Sequence, residues 1–290
     1  MKSLLVVACT WLTLFLTTSA TSDPNLYVPP NSTKNDGIHY FPLSHTYDNI
    51  GDIDYCSLAC GTQHIGCKEN FLKPVPGCPK MPEVQDMQPF QQIIVDYHNE
   101  VRNDVAGGNY KHLPPASRMG TIRWDDGLQR TAKMKANLCS TVGDNCHGTP
   151  EFQASGQNIG LYGYIGETDR LSLEFIIENH LEKWVNRSQE CTPEIIDSFP
   201  NATQSKQVPG VGLFTIMVRD GNTHVGCSLN RYEIVHGHVK TIFVCHYATN
   251  NFIGEHTYIP GPPGSDCKTG TNPQYPNLCG EDEVYSYDHH

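Results

Sequence analysis

The sequence predicts an α+β fold in which helices pack on an antiparallel sheet and disulfides staple the rim. Three observations carry that expectation. Apolar residues recur at helical spacing between Phe90 and Asn186, β-branched runs broken by turn residues follow Val211, and the 290-residue chain holds 12 cysteines. So many cysteines without paired C-x-x-C spacing point to disulfides made in an oxidising compartment rather than to zinc sites. A hydrophobic share of 38% with 20 Pro and 25 Gly suits one large or two modest globular domains and excludes a coiled coil or a collagen. Lys and Arg number 20 against 31 Asp and Glu. The formal charge of −11 excludes the basic footprint of sequence-independent nucleic-acid binding, and an acidic membrane surface would repel it.

In chain order, residues 1–20 read as a secretory signal peptide: Lys2, the apolar run Leu4 to Leu16, then Thr17, Thr18, Ser19 and Ala20, with cleavage after Ala20. A membrane span needs about 20 apolar residues. This run is shorter and no second one follows, so the mature chain is expected to be secreted, extracellular and without a transmembrane anchor. Three N-x-S/T sequons, at Asn31, Asn186 and Asn201, suit that route as glycosylation candidates. Residues 21–54, rich in Pro, Asn, Ser and Tyr, form an extended leader. Residues 55–80 form a cysteine-rich segment, because Cys56, Cys60, Cys67 and Cys78 fall among Gly and Pro that only crosslinks could hold in one shape.

The main domain, residues 81–258, opens with a helix on which Phe90, Ile93, Ile94, Tyr97, Val101 and Val105 share a face and Gly107-Gly108 signals the end. Asp125 caps a second helix whose stripe of Leu128, Ala132, Ala136 and Cys139 is narrow and mostly small. A third runs from about Thr168 to Asn186 with Leu173, Ile177, Leu181, Trp184 and Val185 inward. Leu213 to Val218 reads as a strand, Asp220-Gly221-Asn222 as a hairpin turn and Thr223 to Leu229 as the returning strand. Arg219-Asp220-Gly221 is read as part of that turn and nothing more. Tyr232 to Val235 and Val239 to His246 make a second pair around Gly237. Residues 259–290 are a tail, with Pro260 to Gly264 as linker and a small loop from Cys267 to Cys279.

Several segments then stand in a telling order: Tyr55-Cys56-x3-Cys60, His98-Asn99-x2-Arg102, Met119 to Cys139 with Trp124-Asp125, Gly156-Gln157-Asn158, and Phe243-Val244-Cys245-His246-Tyr247. Together they resemble the CAP superfamily of cysteine-rich secretory, antigen 5 and pathogenesis-related-1 proteins, in its insect antigen 5 or venom-allergen-like branch. The resemblance spans Cys56 to about Asn251. It implies an α-β-α sandwich and occurrence in saliva, venom or haemolymph. It also implies the pairings Cys56–Cys67, Cys60–Cys146, Cys78–Cys139 and Cys227–Cys245, with Cys267–Cys279 left to pair in the tail. Cys191 remains over, as a buried free thiol, as a bridge to a second chain or as the sign of a wrong assignment.

Members with the full pattern hold two His and two Glu in a central cleft, a set able to bind a divalent metal. Here the corresponding positions read Gly143, Gln157, Arg187 and Leu213, with His147 close to the first. An apolar group, an amide and a permanent cation are poor metal ligands, so no cofactor, no metal at the tetrad and no catalytic residue are expected. Two other features compete for function. His236-Gly237-His238, with His224 or His246 nearby, offers a possible copper or zinc site. The stretch Asn158 to Ile165 reads as a glycine-containing loop whose Leu161, Tyr162, Tyr164 and Ile165 could bind an apolar ligand, and the resemblance implies sterol or fatty-acid binding. The leading expectation is a non-enzymatic secreted protein that binds a small hydrophobic ligand (fatty acid, eicosanoid or sterol) or a host protein. The alternatives are a metal-dependent or redox-metal enzyme using the other histidines, and a structural or immune protein of haemolymph.

Overall fold

A computed structural model describes residues 53–67, 78, 83–144 and 146–286. The signal peptide, residues 21–52 of the leader with Asn31, and residues 68–77 between Cys67 and Cys78 lie outside the described residues. The chain divides into two units, residues 1–51 and 52–290, and the fold is that of the second.

Its elements are β1 (Glu83–Val84), α1 (Gln91–Ala106), β2 (Arg123–Trp124), α2 (Asp126–Ala136), β3 (Gly156–Ile165), α3 (Leu173–Val185), α4 (Pro193–Asp197), α5 (Ala202–Ser205), α6 (Val211–Val218), β4 (His224–Val235) and β5 (His238–Tyr247). The sheet order is β1-β4-β5-β3, with the short β2 pairing parallel to β4. Helix α2 covers one face, where Ala132 and Ala136 meet Tyr232, Ile242 and Val244. Helices α1, α3 and α6 contribute to the main core on the other face, around Ile94, Ile177, Trp184, Phe214 and Phe243. This is an α-β-α sandwich. The small stripe on α2 lets helix and strand approach closely: a Cβ at Gly226 of β4 would lie 2.1 Å from the Gln129 backbone nitrogen. Asp125 starts that helix by accepting the Leu128 N–H at 2.7 Å. Ser172 does the same for α3, so this helix begins five residues later than the sequence suggests.

Four readings of the sequence are corrected by the fold. Leu213 to Val218 belongs to helix α6, not to a strand. The run is apolar on every side and nearly all of it is buried, so no face contrast reveals a helical period. Asp220 to Asn222 accordingly leads out of a helix rather than round a hairpin. The Asn222 amide donates to the Ile216 carbonyl at 2.7 Å, and its oxygen accepts the Thr249 N–H at 2.8 Å. The following two short strands are one continuous strand, β4, with an irregularity between Glu233 and Val235. Finally, Pro260 to Gly264 does not act as a free linker: Gly261 N–H donates to the Pro115 carbonyl and Asp266 N–H to that of Ser117. The tail beyond is anchored by the buried Glu283 carboxylate. It accepts from the Lys268 and Thr269 backbone, the Thr269 hydroxyl and Arg118.

Among the described residues five disulfides form: Cys56–Cys67, Cys60–Cys146, Cys78–Cys139, Cys227–Cys245 and Cys267–Cys279. Cys191 is a free thiol, 2% exposed, among the core residues. Burial pushes it up to about 12, which leaves it protonated and inert and removes it as a route to a covalent dimer.

One side chain of α1 ties the distant parts together. The Arg102 guanidinium, fully buried, donates to the Gly120 carbonyl through Nε and Nη2 at 2.9 and 2.6 Å. It also donates to Met217 and Arg219 through Nη1 at 2.8 Å each, and to Asp220 at 3.1 Å. Asn99, one turn earlier, brackets Ile122 by donating to its carbonyl and accepting its N–H. Arg102→Met is therefore expected to cost on the order of 3 kcal/mol or more, since several buried carbonyls lose a charged donor at once. Arg102→Lys should cost less but still clearly, because an ammonium lacks the planar fork. Denaturant unfolding of the oxidised protein measures both, and a loss below about 1 kcal/mol for Arg102→Met would contradict this account.

Candidate functional site

The first residues of β3, the first turn of α6, the segment from Phe199 to Gly210 and the chain after β5 enclose a cavity of about 370 Å3. Gln157 and Asn158 come from β3, Gly212, Leu213 and Ile216 from α6, and Asn250 and Asn251 from the end of β5. Gly143, Gln157, Arg187 and Leu213, which the resemblance matches to the family tetrad, stand about this cavity on four separate stretches of chain. Gln157 and Leu213 line the cavity. Gly143 stands beside Gln157, its would-be Cβ 3.5 Å from Gln157 Oε1, and Arg187 lies against Gly210, its Nε 3.2 Å from the corresponding point. None of the four is an imidazole or a carboxylate, so the set does not fit a divalent metal.

Gln157 is instead the lid of a buried polar layer. Its amide nitrogen donates to Asp144 Oδ2 at 3.1 Å and to His246 Nε2 at 3.0 Å, and its oxygen accepts the Asp144 N–H at 3.4 Å. His246 donates its Nδ1–H to Thr131 at 2.7 Å, and His147 donates to Asp144 Oδ1 at 2.8 Å. The rings of His147 and His246 lie 4.2 Å apart. Lys135 reaches the same carboxylate at 3.6 Å and donates to the Val142 carbonyl. His64 bridges to the cysteine-rich segment, donating to the Gly148 carbonyl at 2.8 Å and accepting the Gly66 N–H at 2.9 Å.

Burial drives the titration of this layer. It pushes His246 well below its ordinary range, reinforced by the charges of His147, Lys135 and His64 and opposed by Asp144. Burial lowers His64 likewise. Burial works to raise Asp144, but hydrogen bonds and charge from His147, with the bond from Gln157, outweigh it and hold the carboxyl below its usual range.

The other histidines do not come together. His236 is fully exposed at the β4–β5 turn and His238 is exposed beside it. His224 is packed against Phe152 at 5.0 Å, and burial lowers it to about 4. Among the described residues no group of three or more His, Cys, Asp or Glu could hold a metal ion. Leu161, Tyr162, Tyr164 and Ile165 lie on β3, an edge strand paired with β5, and not on a loop. The glycines misled: a Cβ at Gly160 would come 2.3 Å from the His180 ring, so glycine there serves helix packing rather than a turn. Leu161 and Ile165 are 44% and 63% exposed, Tyr162 lies under the Lys183 ammonium, and Tyr164 donates to the Thr168 carbonyl. None of these four lines the cavity, which takes the opposite end of the same strand. Asn186 and Asn201 are both exposed, and Asn201 also caps α5. The lining residues Phe199, Ser205, Val208, Asn250 and Asn251 carry no motif and were not foreseeable one by one.

A family model for the cysteine-rich secretory protein family, CAP, matches residues 95–247. Venom allergen-1 of Aedes aegypti is 36% identical over 67% of this chain and 73% of its own, and Venom allergen-1 of Aedes albopictus 35% over 66% and 72%. The crystal structure of NaASP2 with Zn2+ superposes with a TM-score of 0.51 at 23% identity, over 70% of this chain and all of that one. At that identity it speaks for the fold.

The buried layer sets an acid response. Because His246 and His64 resist protonation in the folded state, the unfolded chain takes up the extra protons below about pH 6.5. Stability is then fully present above that value and falls as pH drops toward the lowered folded values. Asp144 acts in the same direction, but only at much lower pH, where its depressed carboxyl finally protonates. The midpoint of thermal unfolding is expected to be level above pH 7 and to fall between about pH 6.5 and 5, with a shallower fall in His246→Gln. An unchanged slope in that variant would count against the assignment.

Proposed function

The chain belongs to the cysteine-rich secretory protein (CAP) family, alongside insect venom allergens, and from that premise we propose that it is a secreted binding protein without catalytic turnover that holds a small apolar ligand in its central cleft. The observation that carries the proposal is the cavity of about 370 Å3 at the tetrad positions, walled by Leu213, Ile216, Val208, Val211 and Phe199 and by no ionisable side chain. Turnover needs a positioned base and a group that stabilises developing charge. Gln157 supplies neither, and the nearest imidazole acceptor, His246 Nε2, is already occupied by the Gln157 amide. Apolar surface that a ligand buries against this wall contributes about 25 cal/mol per Å2 without covalent chemistry.

Secretion is supported by the amino-terminal apolar run, by ten cysteines in disulfides and by exposed sequons at Asn186 and Asn201. In the described residues no helix is long and apolar enough to cross a membrane. A host-protein partner is the second reading, favoured by the exposed apolar residues Leu161, Ile165 and Val235 at one end of the sheet, where Ile165 and Val235 both pair in register with His238.

Native mass spectrometry of the secreted protein, followed by uptake of labelled fatty acids and sterols by the delipidated form, tests the proposal. Saturable uptake is expected, weakened about tenfold or more in Leu213→Trp, which fills the cavity. Stoichiometric zinc is not expected. Uptake that ignores Leu213→Trp but falls in Tyr162→Ala would move the ligand to the β3 edge, and no uptake at all would favour the protein partner.

A further inference from the structure

Strand β3 ends the sheet: it pairs with β5 on one side and has no strand on the other among the described residues. The Gly166 N–H donates to the Gly237 carbonyl and Thr241 Oγ1 to that of Tyr162, so the even-numbered residues turn their main chain toward β5. Leu161, Gly163 and Ile165 turn theirs to the open edge, and all three are exposed. Such edges are ordinarily blunted by charge, proline or a bulge. From Gly156 to Ile165 this strand has no charged residue and no proline, and it stays in step with β5 throughout. The edge is left ready to pair.

Its exposed half is a palindrome of residue types. Leu161-Tyr162-Gly163-Tyr164-Ile165 reads apolar, aromatic, glycine, aromatic, apolar from either end. An antiparallel strand of the same sequence, related by a two-fold axis at Gly163, sets Leu161 opposite Ile165, Gly163 opposite itself and Tyr162 opposite Tyr164. The odd-numbered pairs exchange main-chain hydrogen bonds. The tyrosines fall in the other pairs, where side chains approach most closely. The Ile165 carbonyl accepts from the exposed Arg170 guanidinium, a surface bond that pairing exchanges for the Leu161 N–H of a second copy.

Charge follows the same symmetry. The exposed Lys183 ammonium lies 4.4 Å from the Tyr162 ring centre. Burial raises the Tyr164 hydroxyl, and the charge of the exposed Asp169 adds to it against Arg231. With Tyr162 facing Tyr164, the lysine of each copy comes to the aspartate of the other. We propose that the protein forms a two-fold dimer in which the β3 edges pair antiparallel about Gly163 and carry the sheet from one copy into the next. A palindrome is what a two-fold axis requires and what an unrelated partner does not, so Leu161 and Ile165 are assigned to a second copy rather than to a host protein. The cavity takes the opposite end of β3, which makes the inference independent of the ligand-binding reading.

Sedimentation equilibrium of the full secreted and oxidised protein at physiological salt tests it. A mass of two chains that dissociates on dilution is expected, since a single strand edge makes a small interface. Gly163 supplies the decisive variants. A Cβ there meets only the Val239 carbonyl at 3.5 Å and Lys240 at 3.8 Å, ordinary contact distances, so a side chain fits the single chain. Gly163→Lys, which sets ammonium groups opposite one another across the axis with Lys240 beside each, should weaken the dimer about tenfold or more. An equimolar addition of Gly163→Glu protein should restore association as a mixed dimer, a rescue that damage to the fold would not show. Ile165→Lys, at a position 63% exposed, serves as a second weakening variant should Gly163→Lys fold poorly. A monomer at every concentration would overturn the inference and return the edge to a host protein. A dimer that these lysines do not weaken, or a loss that Gly163→Glu does not relieve in Gly163→Lys, would overturn it equally.

Discussion

Arg102 is the constraint on which the rest of the molecule depends. A guanidinium buried without exposure is costly unless its donors are met, and here they are met by main-chain carbonyls from two otherwise unrelated stretches. One stretch, at Gly120, leads into β2 and α2. The other, at Met217 to Asp220, is the end of α6, where unpaired carbonyls and the helix dipole both favour a cation. The charge thus fixes where α6 stops relative to α1 and so where its first turn, with Leu213, faces β3. The cleft is a consequence of that placement.

Gly143, Gln157, Arg187 and Leu213 stand about one cleft, brought there by separate stretches of chain. Gln157 turns its donors to Asp144 and His246 and closes a polar layer that runs from α2 to the cysteine-rich segment. Burial lowers His246 and His64 in that layer, and Cys60–Cys146 ties it down, so it rigidifies the back of the cleft. On the open side, Asn158 donates to the Leu213 carbonyl and to the Tyr247 hydroxyl, which in turn meets His98. Burial holds that histidine down to about 4, which keeps the chain of contacts neutral in ordinary conditions.

How much of this was legible in the sequence follows from which interactions are local. Capping at Asp125, the periodicity of α1 and α3, and the turn at Gly237 depend on neighbours a few residues apart, and the sequence shows them. The strand assignment for Leu213 to Val218 failed because a helix buried on all sides has no polar face to reveal its period. The loop assigned to Asn158 to Ile165 failed because its glycines answer to His180 and to β5, partners invisible in the local string. By itself, then, the sequence determined the fold class and the disulfide-bearing character, both matters of residue type and short-range pattern. Only the tertiary structure decided where the cavity lies and which way its amides point, because those depend on hydrogen bonds between residues tens of positions apart, such as Asn158 with Leu213 and Tyr247.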